Sequence, residues 1–215
     1  MFSPPPGYVD FLSDADTALP AGPGCTLTVP RVGAVVARRT TPASAALLAM
    51  SASPDSKPSE QVAYLARFVE AHLGTDEVGR VYVEMMVGDM PSDAITLIAR
   101  AVATEGTARP YVAVVSLAVM CGHHWRTIRQ KLLAAGIADP MALPSMHVLL
   151  DYTESMAVEA LASGEDGRRE VDSLYRRLYG PTPEALSLNG DEYVPPGFSP
   201  EEMEASFDAF SRAAH

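Results

Sequence analysis

Cysteine is scarce in this sequence, since Cys25 and Cys121 are the only two among 215 residues. Two thiols are too few for the disulfide framework with which small secreted proteins replace a large core, so a reducing compartment is the simpler expectation. The first residues, MFSPPPGYVDFL, have no basic segment and are interrupted by three prolines. They therefore do not predict a secretory signal.

Long apolar runs are missing as well. The longest, Tyr111–Cys121, contains Ser116 and has about eleven residues, whereas a helix needs about 20 to span a bilayer. We expect this run to lie inside a protein core. No contact with a membrane is expected, and the chain is expected to act in the cytoplasm.

Basic residues are outnumbered, with 16 Lys and Arg against 27 Asp and Glu, which gives a net charge of −11. Binding to the phosphates of nucleic acid depends on clustered Lys and Arg. The charge therefore argues against a general affinity for nucleic acid, and it favours solubility and a basic or apolar partner.

Common catalytic and ligand-binding motifs are absent too. The sequence contains no GxSxG, GxGxxG, P-loop, CxxC or HExxH pattern, and no pair of carboxylates stands out as an acid–base couple. We therefore expect no catalytic residues, no cofactor and no metal site, and the protein is not predicted to be an enzyme.

What the sequence does contain divides into four predicted segments. Proline and glycine interrupt the apolar groups of residues 1–42, which predicts a poorly structured arm. Over residues 43–180 apolar side chains recur at helical spacing, and Gly or Pro separates the repeats, which predicts a compact domain of about six helices. Gly74 and Gly88 are expected to end two of them, and residues 110–135 and 144–162 are expected to form two more. The helix between the two glycines is expected to bury one face, made of Val78, Val81, Tyr82 and Met85. Residues 181–198 have the composition of a linker, and residues 199–215 predict a short acidic amphipathic helix. The expected fold class is all-α, with flexible segments at both ends.

The last predicted helix has a start signal and an apolar stripe. Ser199 is suited to cap it, and Glu202 completes a capping box. From residue 184 onward seven acids stand against one arginine, which gives −6, more than half of the net charge of the chain. Its apolar residues fall on one predicted face: Met203, Phe207 and Phe210.

The stretch CGHHWRTIRQK, residues 121–131, allows three interpretations. In a metal site, Cys121 and His124 are spaced to share an ion on a helix, but zinc needs three or four ligands. In a helix-turn-helix DNA-binding motif over residues 123–147, acids would surround the few cations of the reading helix.

The third interpretation is an ordinary amphipathic helix, and it explains the most residues. Trp125, Ile128 and Leu132 recur at helical spacing and form one apolar stripe. Arg126 and Arg129 would lie on another face, where they would pair with acids of a neighbouring helix or of another subunit. Trp125 would then be an anchor in the core or in a groove.

Several stretches taken together resemble a known family, the tail assembly chaperones of long-tailed, siphovirus-type phages that infect actinobacteria. The likeness covers about residues 45–215, whereas residues 1–42 show no counterpart. No single stretch is specific, and the combined run carries the resemblance. The stretches are LARFVEAHLG (65–74), GTARPY (106–111), HHWRTIR (123–129), GIADPMALPSMH (136–147), LDYTE (150–154), RRLYGPTPE (176–184) and GFSPEEMEASFDAF (197–210).

The resemblance implies a role without chemistry. Such chaperones bind the tape-measure protein, a very long and largely helical chain, and keep it soluble and extended while tail-tube subunits polymerise around it. They act in the host cytoplasm and are absent from the mature virion. The resemblance also implies self-association, and contact with tail-tube subunits through a longer product made by programmed frameshifting.

Six residues are the candidates for binding a partner. They come from two places, the cationic and aromatic stretch of residues 121–131 and the apolar stripe of the last predicted helix. They are Trp125, Arg126, Arg129, Met203, Phe207 and Phe210. The alternative function is a DNA-binding regulator that uses residues 123–147.

Overall fold

The structure, a computed structural model, describes residues 6–15 and 24–180. In those ranges it is mostly helical, with nine α-helices, one two-stranded antiparallel sheet and a short 3-10 turn at Pro140–Ala142. The helices and strands are α1 (Pro6–Ala15), β1 (Cys25–Val29), β2 (Gly33–Ala37), α2 (Pro42–Ala52), α3 (Pro58–Leu73), α4 (Thr75–Val87), α5 (Ala94–Thr104), α6 (Tyr111–His123), α7 (Trp125–Ala134), α8 (Met146–Ala162) and α9 (Gly167–Tyr179).

The prediction of an all-α fold is confirmed only as a mostly helical one, because the described residues also contain the β1–β2 sheet, and the count of about six helices is wrong for those residues. Helices α1 and α2 were not counted as helices, because proline and short apolar runs obscured their periodicity. The predicted long helix over residues 110–135 is divided at His124, whose φ of −108° and ψ of 18° leave the helical region. These three differences account for the nine helices.

The N-terminal segment differs from the prediction of a poorly structured arm over residues 1–42, in the parts of it that the structure describes. Helix α1 begins at Pro6, and proline is compatible with a first helical turn because its missing N–H has no partner there. Tyr8 and Phe11 of this helix are fully buried. A ten-residue helix is too short to be stable alone, so contacts with the rest of the protein stabilise it, and such contacts leave no periodic signal in sequence.

The hairpin β1–β2 also falls in that segment. Its register pairs Cys25 with Ala37 and Val29 with Gly33. Proline and glycine were expected to interrupt the apolar groups of this segment, but Pro30 lies in the turn between the strands. Gly33 has a φ of 98°, which glycine adopts without strain. Pro30 therefore lies in the turn, and Gly33 begins β2 directly after it, so neither residue interrupts a strand.

The centre of the core is formed by α2 and α6, which pack against each other and against α1, α3 and α8. The sequence of α6 is apolar on nearly all sides, which predicts a central helix, and the structure places it there. Leu48 of α2, Leu117 of α6 and Leu149 of α8 are fully buried. No helix in the described ranges has the length and the hydropathy that crossing a bilayer requires.

Candidate partner-binding surfaces

The face of α7 that carries Trp125 is covered by α1 of the same chain. The Trp125 ring is fully buried, and its centroid lies 4.5 Å from that of Phe11. Its indole N–H donates a hydrogen bond of 2.8 Å to the Oδ2 atom of Asp14. Trp125 is therefore an anchor for α1, and its indole N–H already has an acceptor, as a buried donor requires.

The two arginines of α7 also face α1. Arg126 forms an ion pair with Asp10, and the Nη1 atom of Arg129 lies 3.3 Å from the Oδ2 atom of Asp14. The structure thus brings Trp125, Arg126 and Arg129 together, and the neighbouring acids expected for these cations come from α1. Most of the energy of this contact comes from the apolar side, because exposed ion pairs contribute only about 0–1 kcal/mol each.

Helix α1 also approaches α6 closely enough that glycine is required on both helices. A Cβ atom on Gly7 would lie 2.6 Å from the carbonyl oxygen of Gly122, and a Cβ atom on Gly122 would lie 2.6 Å from the ring of Tyr8. The Tyr8 hydroxyl donates to the carbonyl of Val119 at 3.2 Å. Burial raises the pKa of Tyr8 to about 12, so this hydroxyl stays protonated and keeps donating.

The pair Cys121 and His124 does not form a metal site in the structure. Cys121 is fully buried and burial raises the pKa of its thiol to about 12, whereas metals bind the deprotonated thiolate. His124 is exposed. In residues 6–15 and 24–180 no three His, Cys, Asp or Glu side chains are placed to hold an ion.

Helices α7 and α8 do not have helix-turn-helix geometry. Residues 135–145 separate them and include a 3-10 turn, whereas the motif joins its helices by a turn of about three or four residues. The apolar face of α7 is buried, and Arg126 and Arg129 are paired with acids. This arrangement does not favour a DNA-reading helix.

Three of the stretches behind the family resemblance meet at one polar cluster. Arg109 of GTARPY places its Nη2 atom 2.6 Å from Asp151 and 2.6 Å from Glu154, both of LDYTE. The Tyr179 hydroxyl, from RRLYG, donates to the other oxygen of Glu154 at 2.7 Å. We call Arg109, Asp151, Glu154 and Tyr179 the Arg109 cluster; it joins the loop before α6 to α8 and to the end of α9.

Hydrogen bonds within this cluster favour the charged form of Arg109. Burial opposes the charge of Arg109, but its hydrogen bonds with Glu154, Tyr179 and Asp151 outweigh that effect, so its pKa is raised. Arg109 and Glu154 are both largely buried, and removal of one such partner would leave the other charge unpaired. The cluster therefore has a structural role, in which it positions the C-terminal end of α9.

One helix presents an apolar surface that no described part of the chain covers. On α4, Val83 is 53% exposed, Met86 is 79% exposed and Val87 is 65% exposed, with Tyr82 beside them. We call Tyr82, Val83, Met86 and Val87 the α4 stripe. Val78 and Val81, on the opposite face, are buried, so α4 is apolar on two faces and one of them is available to a partner.

Sequence reasoning missed this stripe. It predicted a buried face that included Tyr82, because Val78, Val81, Tyr82 and Met85 recur at helical spacing. The overlooked signal is that the second half of α4, VYVEMMV (residues 81–87), contains more apolar residues than one face of a helix can bury. The predicted stripe of Met203, Phe207 and Phe210 lies outside the described residues.

Comparison with known protein families identifies the first half of the chain. Residues 1–110 match the family described as phage tail assembly chaperone protein. The chain belongs to this family of tail assembly chaperones. Residues 120–215 match a second family, whose function is unknown. No curated protein and no solved structure matches the chain.

The surfaces described above fall into different family-matched parts of the chain. The part shared with tail assembly chaperones includes α1 and the α4 stripe, and it begins at residue 1, although the resemblance seen in sequence had left residues 1–42 without a counterpart. The part shared with the second family includes α7, α8 and α9. Helix α1 packs on α7, so a chaperone-family element covers the face of α7 that was expected to bind a partner.

Proposed function

We propose that this tail assembly chaperone binds the tape-measure protein of its phage and keeps it soluble and extended while the tail tube polymerises, without catalysis. Membership of the chaperone family supports the general role. The α4 stripe supports the more specific proposal that the client is the tape-measure protein. This long, largely helical client would have apolar faces of its own that need to be covered. An amphipathic helix of the client can lay its apolar side along such a stripe.

Several further features belong to this proposal. The phage is of the long-tailed type and infects an actinobacterium, and the chaperone acts in the host cytoplasm and is absent from the mature virion. Copies of the chaperone associate along the client. A longer frameshifted product shares this chain and contacts tail-tube subunits. The supporting observation for each is the likeness of the sequence stretches described above.

The α4 stripe is favoured over the residues first predicted to bind the client. Trp125 is fully buried under α1, and a client could reach it only by displacing that helix. The stripe needs no displacement, and its methionine and valines provide apolar area without directional groups. Methionine suits surfaces that accept varied apolar partners, because its unbranched side chain adapts its shape.

Co-expression with the tape-measure protein tests both the function and the surface. We expect the wild-type chaperone to keep the client in the soluble fraction and the variant V83K/M86K to lose this effect. The control V112K/L133K also places two lysines at exposed apolar positions, on α6 and α7, and so adds the same charge. We expect the control to behave as the wild type.

The outcomes separate the two parts of the proposal. A client that stays equally insoluble with and without the wild-type chain would refute the proposed function. A client that V83K/M86K still keeps soluble would refute the α4 stripe as its binding surface. Thermal unfolding of each purified variant verifies that a lost effect does not come from a lost fold.

A further inference from the structure

A second apolar surface, to which α4 does not contribute, is a groove between α6, α7, α8 and α9. It encloses about 300 Å³, which admits side chains inserted from a helix lying across it but not the helix itself. Its apolar wall includes Met120, Ile128, Met156, Ala157, Leu161 and Leu174. Lys131 of α7 and Arg177 of α9 add positive charge to the lining.

We propose that the C-terminal segment of the same chain, residues 199–215, docks in this groove. Its predicted stripe of Met203, Phe207 and Phe210 enters the apolar wall, and its acids lie beside α7 and α9. This inference concerns a surface separate from the α4 stripe and does not depend on the identity of the client.

Charge complementarity is the first argument for this occupant. Helices α7 and α9 contain seven of the 16 Lys and Arg of the chain and two acids, so they carry a net charge of +5 in a protein of −11. Residues 181–215 carry seven acids and one arginine. Opposite charges on the two parts favour their association and orient it. The cations are Arg126, Arg129, Lys131, Arg168, Arg169, Arg176 and Arg177.

Some of these cations already have acidic partners, which restricts where the tail can pair. Arg126 and Arg129 face α1, and the Nζ atom of Lys131 lies 2.7 Å from the Oε2 atom of Glu159. Arg177 is exposed and lines the groove. We therefore expect Arg177 to be the groove cation that contributes most to binding the tail.

The length of chain beyond α9 is the second argument. Leu174 and Arg177 lie within the last two turns of α9, and the Arg109 cluster holds the end of that helix in place through Tyr179. Residues 181–198 would span at most about 60 Å when fully extended. The chain that leads to residues 199–215 therefore starts beside the groove, at the end of α9, and is long enough to return to it, and this tethering would give a millimolar effective concentration.

The family match is the third argument. The lining of the groove and the tail both fall within residues 120–215, which match one family model. A groove and the segment that fills it would be expected to occur together in the members of a family. The chaperone-family match over residues 1–110 includes neither.

The test uses the full chain with 13C-labelled methionine methyl groups. Met120 and Met156 line the groove, whereas Met86 lies on the α4 stripe and is not part of the groove lining. In the variant F207D/F210D we expect the Met120 and Met156 signals to move and the Met86 signal to stay in place. Loss of two buried aromatic side chains should lower the ratio of docked to undocked protein about tenfold or more. Unchanged Met120 and Met156 signals would overturn the proposal.

Two charge reversals on one helix locate the site. R177E changes a residue that lines the groove, and R168E makes the same change in net charge on the same helix outside the lining. We expect R177E to move the Met156 signal toward its position in F207D/F210D, and R168E to leave it in place. Equal effects of the two variants would show attraction by net charge alone and would overturn docking in this groove.

Mixing distinguishes the tail of the same chain from the tail of a second copy. Labelled F207D/F210D protein is combined with an excess of unlabelled wild type. We expect the labelled groove signals to remain at their undocked positions, because each wild-type tail occupies its own groove. Recovery of the docked positions would mean that the groove accepts the tail of another copy, and would refute docking within one chain.

Discussion

The buried His72 should make the protein less stable in mild acid, and the structure supplies the magnitude. The ring is fully buried between α2 and α3, and burial lowers its pKa from 6.5 to about 4. The hydrogen bond with the carbonyl of Phe68 opposes this shift, and the nearby charge of Arg38 adds to it. Neutral imidazole is thus the form that the fold accepts.

Hydrogen bonds fix the neutral tautomer. The Nδ1 atom lies 2.6 Å from the carbonyl oxygen of Phe68, so Nδ1 carries the proton and donates it. The Nε2 atom lies 2.9 Å from Oγ of Ser44 and accepts. Ser44 in turn accepts from the backbone N–H of Thr41 at 2.9 Å, so its hydroxyl proton is available for the histidine. A second proton on His72 would make Nε2 a donor, so the Ser44 hydroxyl could no longer donate to it and this chain of hydrogen bonds would have to rearrange at the start of α2.

The sign of the pH dependence follows from these pKa values. Above pH 6.5 the histidine is neutral in both the folded and the unfolded protein, and it adds no dependence on pH. Between pH 6.5 and about 4 the unfolded protein binds a proton that the folded protein does not, so the free energy of unfolding falls as the pH falls. A pKa lowered from 6.5 to about 4 corresponds to a loss of about 3 kcal/mol by pH 4.

Urea denaturation at about pH 7.5 and about pH 4.5, followed by circular dichroism, measures this loss. We expect H72Q, whose amide is able to accept from Ser44, to lose about 2.5 kcal/mol less than the wild type between the two pH values. The control V69A removes buried apolar volume from the same helix and has no titratable group. It should lower stability equally at both pH values. A wild type and an H72Q that lose the same free energy would refute the assignment to His72.

Substitutions at three further sites test the packing of the fold, each by thermal or urea unfolding. G122A places a Cβ atom 2.6 Å from the tyrosine ring of α1 and should lower the free energy of unfolding by about 1–3 kcal/mol. The control G79A has open space around its Cβ atom and should stabilise α4 by up to about 1 kcal/mol. R109M should lower the free energy of unfolding by about 2 kcal/mol, because the carboxylate of Glu154 is left partly buried and without its cation. The double variant R109M/E154L should recover much of that loss. No recovery would contradict the conclusion that the loss comes from an unpaired Glu154. D14A should cost about 1–3 kcal/mol and expose α1 to limited proteolysis, and an α1 that remains protected would contradict its role as an anchor.

Local signals in the sequence predicted much of the helical domain. Gly74 and Gly88 were expected to end helices, and they follow α3 and α4 with φ values of 82° and 88°. Residues 144–162 were expected to form a helix, and α8 occupies Met146–Ala162. These signals are reliable because capping and left-handed glycine act on the residues of the helix end itself.

Tertiary partners were much less predictable. Nothing in residues 6–15 indicates that Phe11 stacks on Trp125, more than a hundred residues away, and so α1 was not expected. The amphipathic character of α7 was predicted from Trp125, Ile128 and Leu132, but not the helix that covers it. Similarly, the stretches GTARPY and LDYTE each look like ordinary turn and helix sequence, and only the fold brings Arg109 to Glu154.

Helix α1 has a consequence for how the two family-matched parts of the chain depend on each other. Its residues lie in the segment shared with tail assembly chaperones, whereas Trp125 and Arg129, which hold it, lie in the segment shared with the second family. Because α1 is too short to be stable alone, its order depends on α7. Conversely, the apolar face of α7 would be exposed without α1. Neither part buries its own surface in isolation, so we expect the described helices to unfold as one cooperative unit and not as two domains.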